Sequence, residues 1–120
     1  MDIRLKRAQE PAAGDDGQRI LVDRLWPRGI SKQALRLDHW LKQVAPSTAL
    51  RQWFHHEPEK WEEFQRRYFA ELDQQPQAVD DLRKLLSQGR VTFVFSARDP
   101  QHNNAVALRH YLTERKSTSK

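Results

Sequence analysis

The chain has 120 residues, enough for one domain with a single modest core. Its 21 Lys and Arg against 16 Asp and Glu give a net charge of +5, which is compatible with a polyanionic partner although the basic residues form no long run. The absence of cysteine excludes disulfides, thiol catalysis and cysteine-ligated metals, and without a signal-like N-terminus or an apolar stretch of about 18 residues we expect a cytoplasmic protein with no membrane contact.

The first third of the chain predicts two strands and a short helix. Residues 1–7 alternate between apolar and basic side chains, which is typical of a half-buried strand. A turn-rich loop follows over residues 10–18, and the apolar run of residues 20–22 predicts a buried strand. Ser31 fits the N-cap of a short helix through Leu35.

Periodicity does not decide whether residues 37–46 form a helix or a strand. Beyond them the pattern predicts three helices. Ser47 is the N-cap expected for the first, Pro58 the first residue of the second, and Pro76 the first residue of the third, which Gly89 terminates.

The continuous apolar run of residues 91–95 predicts a strand covered on both faces. Asp99 and Pro100 then fit the N-cap and first residue of a final helix. Alternating strands and helices predict an α/β fold, with a largely parallel sheet between helices in three layers. We expect one domain over residues 1–115 and a polar tail over residues 116–120.

Two similar polar loops follow the predicted second and last strands. Ligands of open parallel sheets bind beyond the carboxyl ends of the strands, so the two loops would form one crevice if these strands are neighbours. Guanidinium groups bind phosphate or carboxylate in a bidentate manner. The candidate ligand-binding residues are Arg24, Arg28, Arg98, Trp26, Ser96, Asp99, Asn103 and Asn104.

Structural explanations compete with each of these roles. Asp99 can serve as a plain helix cap, and Arg24 or Arg28 can form an ion pair within the protein. Trp26 is more typical of a wedge that closes the sheet edge than of a stacking platform. Candidate catalytic residues are His102 and Asp23, as acid or base. His55 and His56 lack metal-ligand spacing, so we expect no metal.

The motifs resemble a known family. Residues 21–29 (Leu-Val-Asp-Arg-Leu-Trp-Pro-Arg-Gly), 45–47 (Ala-Pro-Ser), 96–99 (Ser-Ala-Arg-Asp) and 102–104 (His-Asn-Asn) are similar, in order, to the YeaO-like branch of the domain of unknown function 488 family. The resemblance covers about residues 3–112. It implies a small bacterial α/β protein but does not indicate a reaction, and it favours a strand within residues 37–45. The broader family commonly has a Cys-His-Arg cluster where this chain has residues 102–104.

The leading hypothesis is a pocket for an anionic, phosphate-bearing small molecule formed by Arg24, Arg28 and Arg98. No cofactor is expected, and the sequence leaves open whether the pocket is catalytic. The alternatives are a nucleic-acid-binding module and an adaptor whose aromatic residues contact a partner protein. The sequence does not indicate an oligomeric state.

Overall fold

The structure, a computed structural model, describes residues 1–114. Its strands are β1 (Ile3–Arg7), β2 (Gln18–Leu21), β3 (His39–Trp40) and β4 (Val91–Phe95). Its α-helices are α1 (Lys32–Leu35), α2 (Thr48–Phe54), α3 (Trp61–Asp73), α4 (Pro76–Leu86) and α5 (Asn104–Glu114), and single 3-10 turns occupy Gly14–Asp16, Lys42–Val44 and Pro58–Lys60. The tail predicted for residues 116–120 lies outside the described residues.

All four strands are parallel and lie in the order β1-β4-β2-β3. Phe93 in β4 lies opposite Leu5 of β1 on one side and opposite Ile20 of β2 on the other. All five residues of β4 are buried, as its continuous apolar sequence predicts for a strand covered on both faces. The predicted α/β fold with a parallel sheet is therefore confirmed.

Helices cover both faces of the sheet. On one face, Ile20 and Phe93 pack in a core with buried residues from α2, α3, α4 and α5. On the other, Leu21 and Val94 pack against Leu35 of α1. The three-layer arrangement predicted from the alternation of elements is thus present. No helix within residues 1–114 combines the length and apolarity needed to span a membrane.

Two predicted helix starts are confirmed by side-chain capping. Ser31 Oγ accepts a hydrogen bond from the Ala34 amide, and Ser47 Oγ accepts one from the Leu50 amide, each at 3.1 Å. Pro58 was predicted to begin a helix, but it begins a 3-10 turn and α3 starts only at Trp61.

The prediction that Asp99 caps the last helix is wrong, because α5 begins at Asn104. The Asp99 carboxylate accepts hydrogen bonds from the amides of Gln101 and His102 and so holds a turn of its own. Asn103 caps α5 instead, since its Oδ1 accepts from the Val106 amide at 2.9 Å. His102 and Asn103 therefore precede the helix rather than lie in its first turn.

The ambiguous segment over residues 37–46 contains both a strand and a turn. His39 and Trp40 pair with Ile20 and Leu21 as the two-residue edge strand β3, and the 3-10 turn follows at once. The strand that the family resemblance favours is present but short.

A buried ion cluster lies before β2. Asp16 is 1% exposed; its Oδ2 is 2.7 Å from Arg19 Nη1 and its Oδ1 is 2.9 Å from Lys6 Nζ. Burial opposes ionisation of Asp16, but hydrogen bonds from the Ala13 amide, Lys6 and Arg19 outweigh it and lower its pKa to about 2. The carboxylate is thus charged at neutral pH.

Candidate functional site

A cavity of about 840 Å³ lies at the carboxyl edge of the sheet, beside the ends of β2 and β4. After β2 the chain crosses to α1 on one face, and after β4 it crosses to α5 on the other face. A crevice at such a reversal is the usual ligand site of an open parallel sheet. We call it the edge cavity; its lining is residues 23–28, 46, 51, 52, 54–56, 64, 96–99 and 102–104.

The structure brings all the sequence-predicted site residues to this cavity. The loops after β2 and β4 meet there because their strands are neighbours in the sheet. Their ligand roles remain predictions, and the contacts of each side chain distinguish them. The ten residues are Asp23, Arg24, Trp26, Arg28, Ser96, Arg98, Asp99, His102, Asn103 and Asn104.

Asp23 connects the two loops through both oxygens of its carboxylate. Oδ2 accepts a hydrogen bond from the Ser96 amide at 2.9 Å, and Oδ1 accepts one from Asn104 Nδ2 at 3.0 Å. Burial raises the pKa of Asp23, while these hydrogen bonds and the charge of Arg51 act in the opposite direction. The carboxylate therefore holds the cavity walls together.

The arginines of the cavity differ in how they are held. Arg24 is half-buried and donates from Nη2 to the Ala45 carbonyl at 3.2 Å and from Nε to the Pro46 carbonyl at 3.4 Å. Arg28 and Arg98 are exposed, and neither forms an ion pair within residues 1–114. Their guanidinium groups are fully available to an anion, whereas the Arg24 group is only partly available because it already donates to two backbone carbonyls.

Trp26 braces its own loop. Its Nε1 donates to the Ile30 carbonyl at 2.7 Å, and its ring meets Trp40 edge-to-face with centroids 5.5 Å apart. Trp40 in turn donates from Nε1 to the Asp23 carbonyl at 2.8 Å. The two indoles fix the backbone that carries Asp23 and Arg24, while Trp26 also contributes a wall to the edge cavity.

Asp99 and His102 form a hydrogen-bonded pair on the cavity wall. His102 Nδ1 lies 2.8 Å from Asp99 Oδ2, and the imidazole packs edge-on against Trp61. Hydrogen bonds from the Gln101 amide and from His102 lower the pKa of Asp99. An imidazole oriented through Nδ1 by a carboxylate has Nε2 available for hydrogen bonding or proton transfer.

Asn103 is engaged on both sides of its amide. Nδ2 donates to the Asp99 carbonyl at 2.8 Å, and Oδ1 caps α5. The side chain is 2% exposed. Asn103 thus fixes the shape of the loop that carries Asp99 and His102.

Sequence reasoning missed the third wall, which comes from the end of α2. Arg51 lies in α2, and His55 and His56 follow the last residue of that helix. His55 and His56 have φ of 46° and 56°, values that side-chain-bearing residues seldom adopt. The signal in the sequence is a pair of histidines at a helix end, where Gly is usual. Among the described residues, no three His, Asp or Glu side chains are grouped to hold a metal ion.

The charges that line the cavity are mainly positive. Four guanidinium groups face two carboxylates there, and both carboxylates already accept hydrogen bonds from the protein. The guanidinium groups are those of Arg24, Arg28, Arg51 and Arg98. Such a surface attracts anions and can bind phosphate or carboxylate in a bidentate manner.

Comparison with known proteins gives matches over nearly the full length. The family model described as "Inactive DUF488-N3 subclade" matches residues 2–120. Uncharacterised proteins of Mycobacterium tuberculosis (strain H37Rv) and Mycobacterium bovis are each 44% identical over 113 residues, which cover 94% of this chain and 95% of each relative. The uncharacterised protein YeaO of Escherichia coli K12 is 44% identical over 112 residues, or 93% of this chain and 97% of the relative. No solved structure matches the chain significantly.

Proposed function

This chain belongs to the domain of unknown function 488 family, in the subclade described as inactive. We propose that the edge cavity binds a small phosphorylated ligand and does not catalyse a reaction on it. The observation that carries the proposal is the set of guanidinium groups of Arg28, Arg51 and Arg98. All three line one cavity, and none is neutralised by an ion pair within the described part of the chain.

The dimensions of the cavity favour an organic phosphate over a free inorganic ion. Its volume of about 840 Å³ lies within the roughly 300–1,000 Å³ typical of small-molecule sites. Aromatic side chains of Trp26, Phe54 and Phe64 contribute an apolar part of the lining, against which a ring or chain of the ligand can pack. We therefore place the phosphate at the arginines and the organic group at the aromatic residues.

The description of the subclade supports binding without catalysis, and so do the contacts of Asp23. Each oxygen of the Asp23 carboxylate has two lone pairs and uses one of them here, Oδ2 with the Ser96 amide and Oδ1 with Asn104 Nδ2, so the group is fixed to the loop after β4 and to the start of α5. Asp23 is better suited to shaping the cavity than to proton transfer.

The Asp99–His102 pair favours a second candidate, a hydrolase or transferase acting on the same ligand. In that case His102 would act as acid or base, and the arginines would stabilise developing negative charge. The two candidates share the binding site and differ only in whether the bound compound is turned over.

A thermal-shift screen tests the proposal. The panel contains inorganic phosphate, sugar phosphates, nucleotides and dicarboxylates at near-physiological salt, with wild type, Arg98→Ala and the control Arg66→Ala on α3. A ligand at a hundred times its Kd stabilises the protein by about 2.7 kcal/mol. We expect a phosphorylated compound to stabilise wild type and Arg66→Ala but not Arg98→Ala.

Two results would contradict the proposal. No stabilisation by any phosphorylated compound would remove the phosphate site, and equal stabilisation of Arg98→Ala would place the ligand elsewhere. For the second candidate, the bound compound is incubated with wild type and His102→Gln, and products are followed by chromatography. Turnover by wild type alone would replace the binding role with a catalytic one.

A further inference from the structure

The Lys and Arg side chains of the described residues divide into three groups. Some form ion pairs, as in the pairs of Arg4 with Asp15, Lys84 with Asp80 and Arg90 with Asp2, and Arg7, Arg24 and Arg83 donate only to backbone carbonyls. Others form neither an ion pair nor a side-chain hydrogen bond within residues 1–114. They are Arg28, Lys32, Arg36, Lys42, Arg51, Arg98 and Arg109.

Five of these seven cations lie at or beside the carboxyl edge of the sheet. Arg28, Arg51 and Arg98 line the edge cavity, Lys42 lies two residues after the end of β3, and Lys32 begins α1 after the loop from β2. We call these five residues the basic rim. The two exceptions lie elsewhere, since Arg36 follows the far end of α1 and Arg109 is half-buried in α5.

The rim continues outward from the cavity through an aromatic pair. Lys42 Nζ lies 4.2 Å from the centroid of the Trp40 ring, and Trp40 packs on Trp26 of the cavity wall. Lys32 and Lys42 are exposed and do not line the cavity. A small ligand confined to the cavity would therefore not neutralise them.

We propose that the phosphorylated group bound in the edge cavity is the terminal nucleotide of a single-stranded nucleic acid, whose following phosphates lie along Lys32 and Lys42. The proposal rests on the phosphate site proposed above and extends it outward. Proteins that bind single strands combine a basic groove with aromatic side chains on which bases stack. Here Trp26 supplies the aromatic surface, and the neighbouring Leu25 is 62% exposed, an unusual position for a large apolar side chain in this protein.

A single strand fits the cavity better than a duplex does. The terminal base can enter only if it is unstacked and unpaired, which costs free energy in a duplex and little in a single strand. An acidic polypeptide would also match the charge of the basic rim, but it has neither a terminal phosphate nor a planar base for the aromatic wall. Competition with poly-glutamate tests for that partner.

Fluorescence anisotropy tests the proposal with 5′-phosphorylated oligonucleotides of about ten nucleotides, labelled at the 3′ end, as DNA and as RNA. The unlabelled competitors are the matching mononucleotide, the oligonucleotide itself and poly-glutamate. The rim variant is Lys32→Glu with Lys42→Glu. Its matched control is Arg66→Glu with Lys84→Glu, which changes net charge equally on exposed helix positions, and thermal unfolding of both variants verifies that they fold.

We expect the oligonucleotide to bind wild type and the control at least about tenfold more tightly than the mononucleotide does, with affinity that falls as salt rises. The rim variant should bind the oligonucleotide no more tightly than the mononucleotide, and its affinity for the mononucleotide should equal that of wild type. The slope of log affinity against log salt concentration should be smaller by about 0.7 for each lost phosphate contact. Arg98→Ala should weaken both ligands.

The two proposals fail in different ways. Equal affinity for mononucleotide and oligonucleotide, with no effect of the rim variant, would overturn the strand while leaving the phosphate site in place. Displacement by poly-glutamate as effective as by the oligonucleotide would overturn the nucleic acid in favour of an acidic protein. Oligonucleotide binding that Arg98→Ala does not weaken would overturn the phosphate site and the placement of the strand end. No binding of either nucleotide ligand would overturn the strand, while the phosphate site would stand or fall with the thermal-shift panel.

Discussion

Asn104 ties the start of α5 to the end of β2 through Asp23. Its Nδ2 lies 3.0 Å from Asp23 Oδ1 and 2.9 Å from the carbonyl oxygen of Val22. These contacts join two segments that are some eighty residues apart in the chain. The Asn104 amide thus fixes one cavity wall to the other, together with the hydrogen bond from the Ser96 amide to Asp23.

Replacing Asn104 with Ala should lower the free energy of unfolding by about 1–3 kcal/mol, because it removes a donor from the half-buried Asp23 carboxylate and from the Val22 carbonyl. Urea denaturation measures the change. Gln101→Ala is the control, because Gln101 is exposed and its side chain lies on the same loop; we expect a change within about 0.5 kcal/mol. Similar losses in both variants would show that the contact with Asp23 contributes nothing specific.

Replacing Arg24 should destabilise the folded protein more than replacing Arg98 does. Arg24 donates to the buried carbonyls of Ala45 and Pro46, so Arg24→Ala should cost about 1–2 kcal/mol of unfolding free energy. Arg98→Ala should leave stability within about 0.5 kcal/mol of wild type, since Arg98 has no ion pair within residues 1–114 to lose. Thermal unfolding without ligand measures both. A large loss in Arg98→Ala would mean that Arg98 is structural and would weaken the phosphate site.

Gly17 should not tolerate a side chain. Its φ is 69°, and a Cβ there would lie 2.2 Å from the carbonyl oxygen of Arg90, which also accepts the Gln18 amide. Gly17→Ala should therefore destabilise the protein by about 2 kcal/mol or more. Gly14→Ala is the matched control, because a Cβ at that position meets nothing within 4 Å. Chemical denaturation distinguishes them, and equal stability of the two variants would refute the close approach at Arg90.

Acid should remove the stabilisation that Asp16 provides. The pKa of Asp16 is lowered from 3.8 to about 2 in the folded protein, so the folded state favours the charged form more than the unfolded state does. That stabilisation is complete above the unfolded pKa and is lost as the pH falls from about 4 to 2. The shift corresponds to roughly 2 kcal/mol.

Asp16→Asn should thus be less stable at pH 7 and should show a smaller decline in unfolding free energy between pH 4 and 2. Asp80→Asn is the control, since Asp80 is an exposed partner of Lys84. Because the pKa of Asp23 is raised, its effect is opposite: it makes the unfolding free energy fall as the pH rises above the unfolded pKa. Both variants keep Asp23, so the difference between their pH profiles reports on Asp16. An unchanged acid slope in Asp16→Asn would assign the pH dependence to other carboxylates.

The sequence was most informative where local pattern decides the structure. The apolar run of β4 and the caps Ser31 and Ser47 could be predicted because each depends on residues close in the chain. The start of α5 could not, since Asp99 and Asn103 are both good caps and only their hydrogen bonds show which amides each one takes. The prediction that an α-helix begins at Pro58 is wrong for a similar reason, because Pro suits the first turn of a 3-10 helix as well as that of an α-helix.

The candidate site was predictable on two of its three walls. The loops after β2 and β4 have the same kind of polar sequence, which suggested that they act together. Arg51 and His55 have no such signal. Their place in the cavity depends on how α2 packs against the sheet, and that is fixed by contacts of buried side chains such as Leu50 and Phe54 rather than by the polar residues themselves.

The strand order β1-β4-β2-β3 has a consequence for synthesis of the protein on the ribosome. β4, which lies between β1 and β2, is the last of the four described strands to be made, and β1 and β2 each pair with it rather than with one another. A nascent chain that ends before Val91 can pair β2 with β3. It lacks β4, the strand with which β1 and the other edge of β2 form their hydrogen bonds. The β1-β4-β2 part of the sheet can therefore form only after Phe95 has been made, and until then the strand edges that β4 covers have unpaired backbone groups, which favours aggregation.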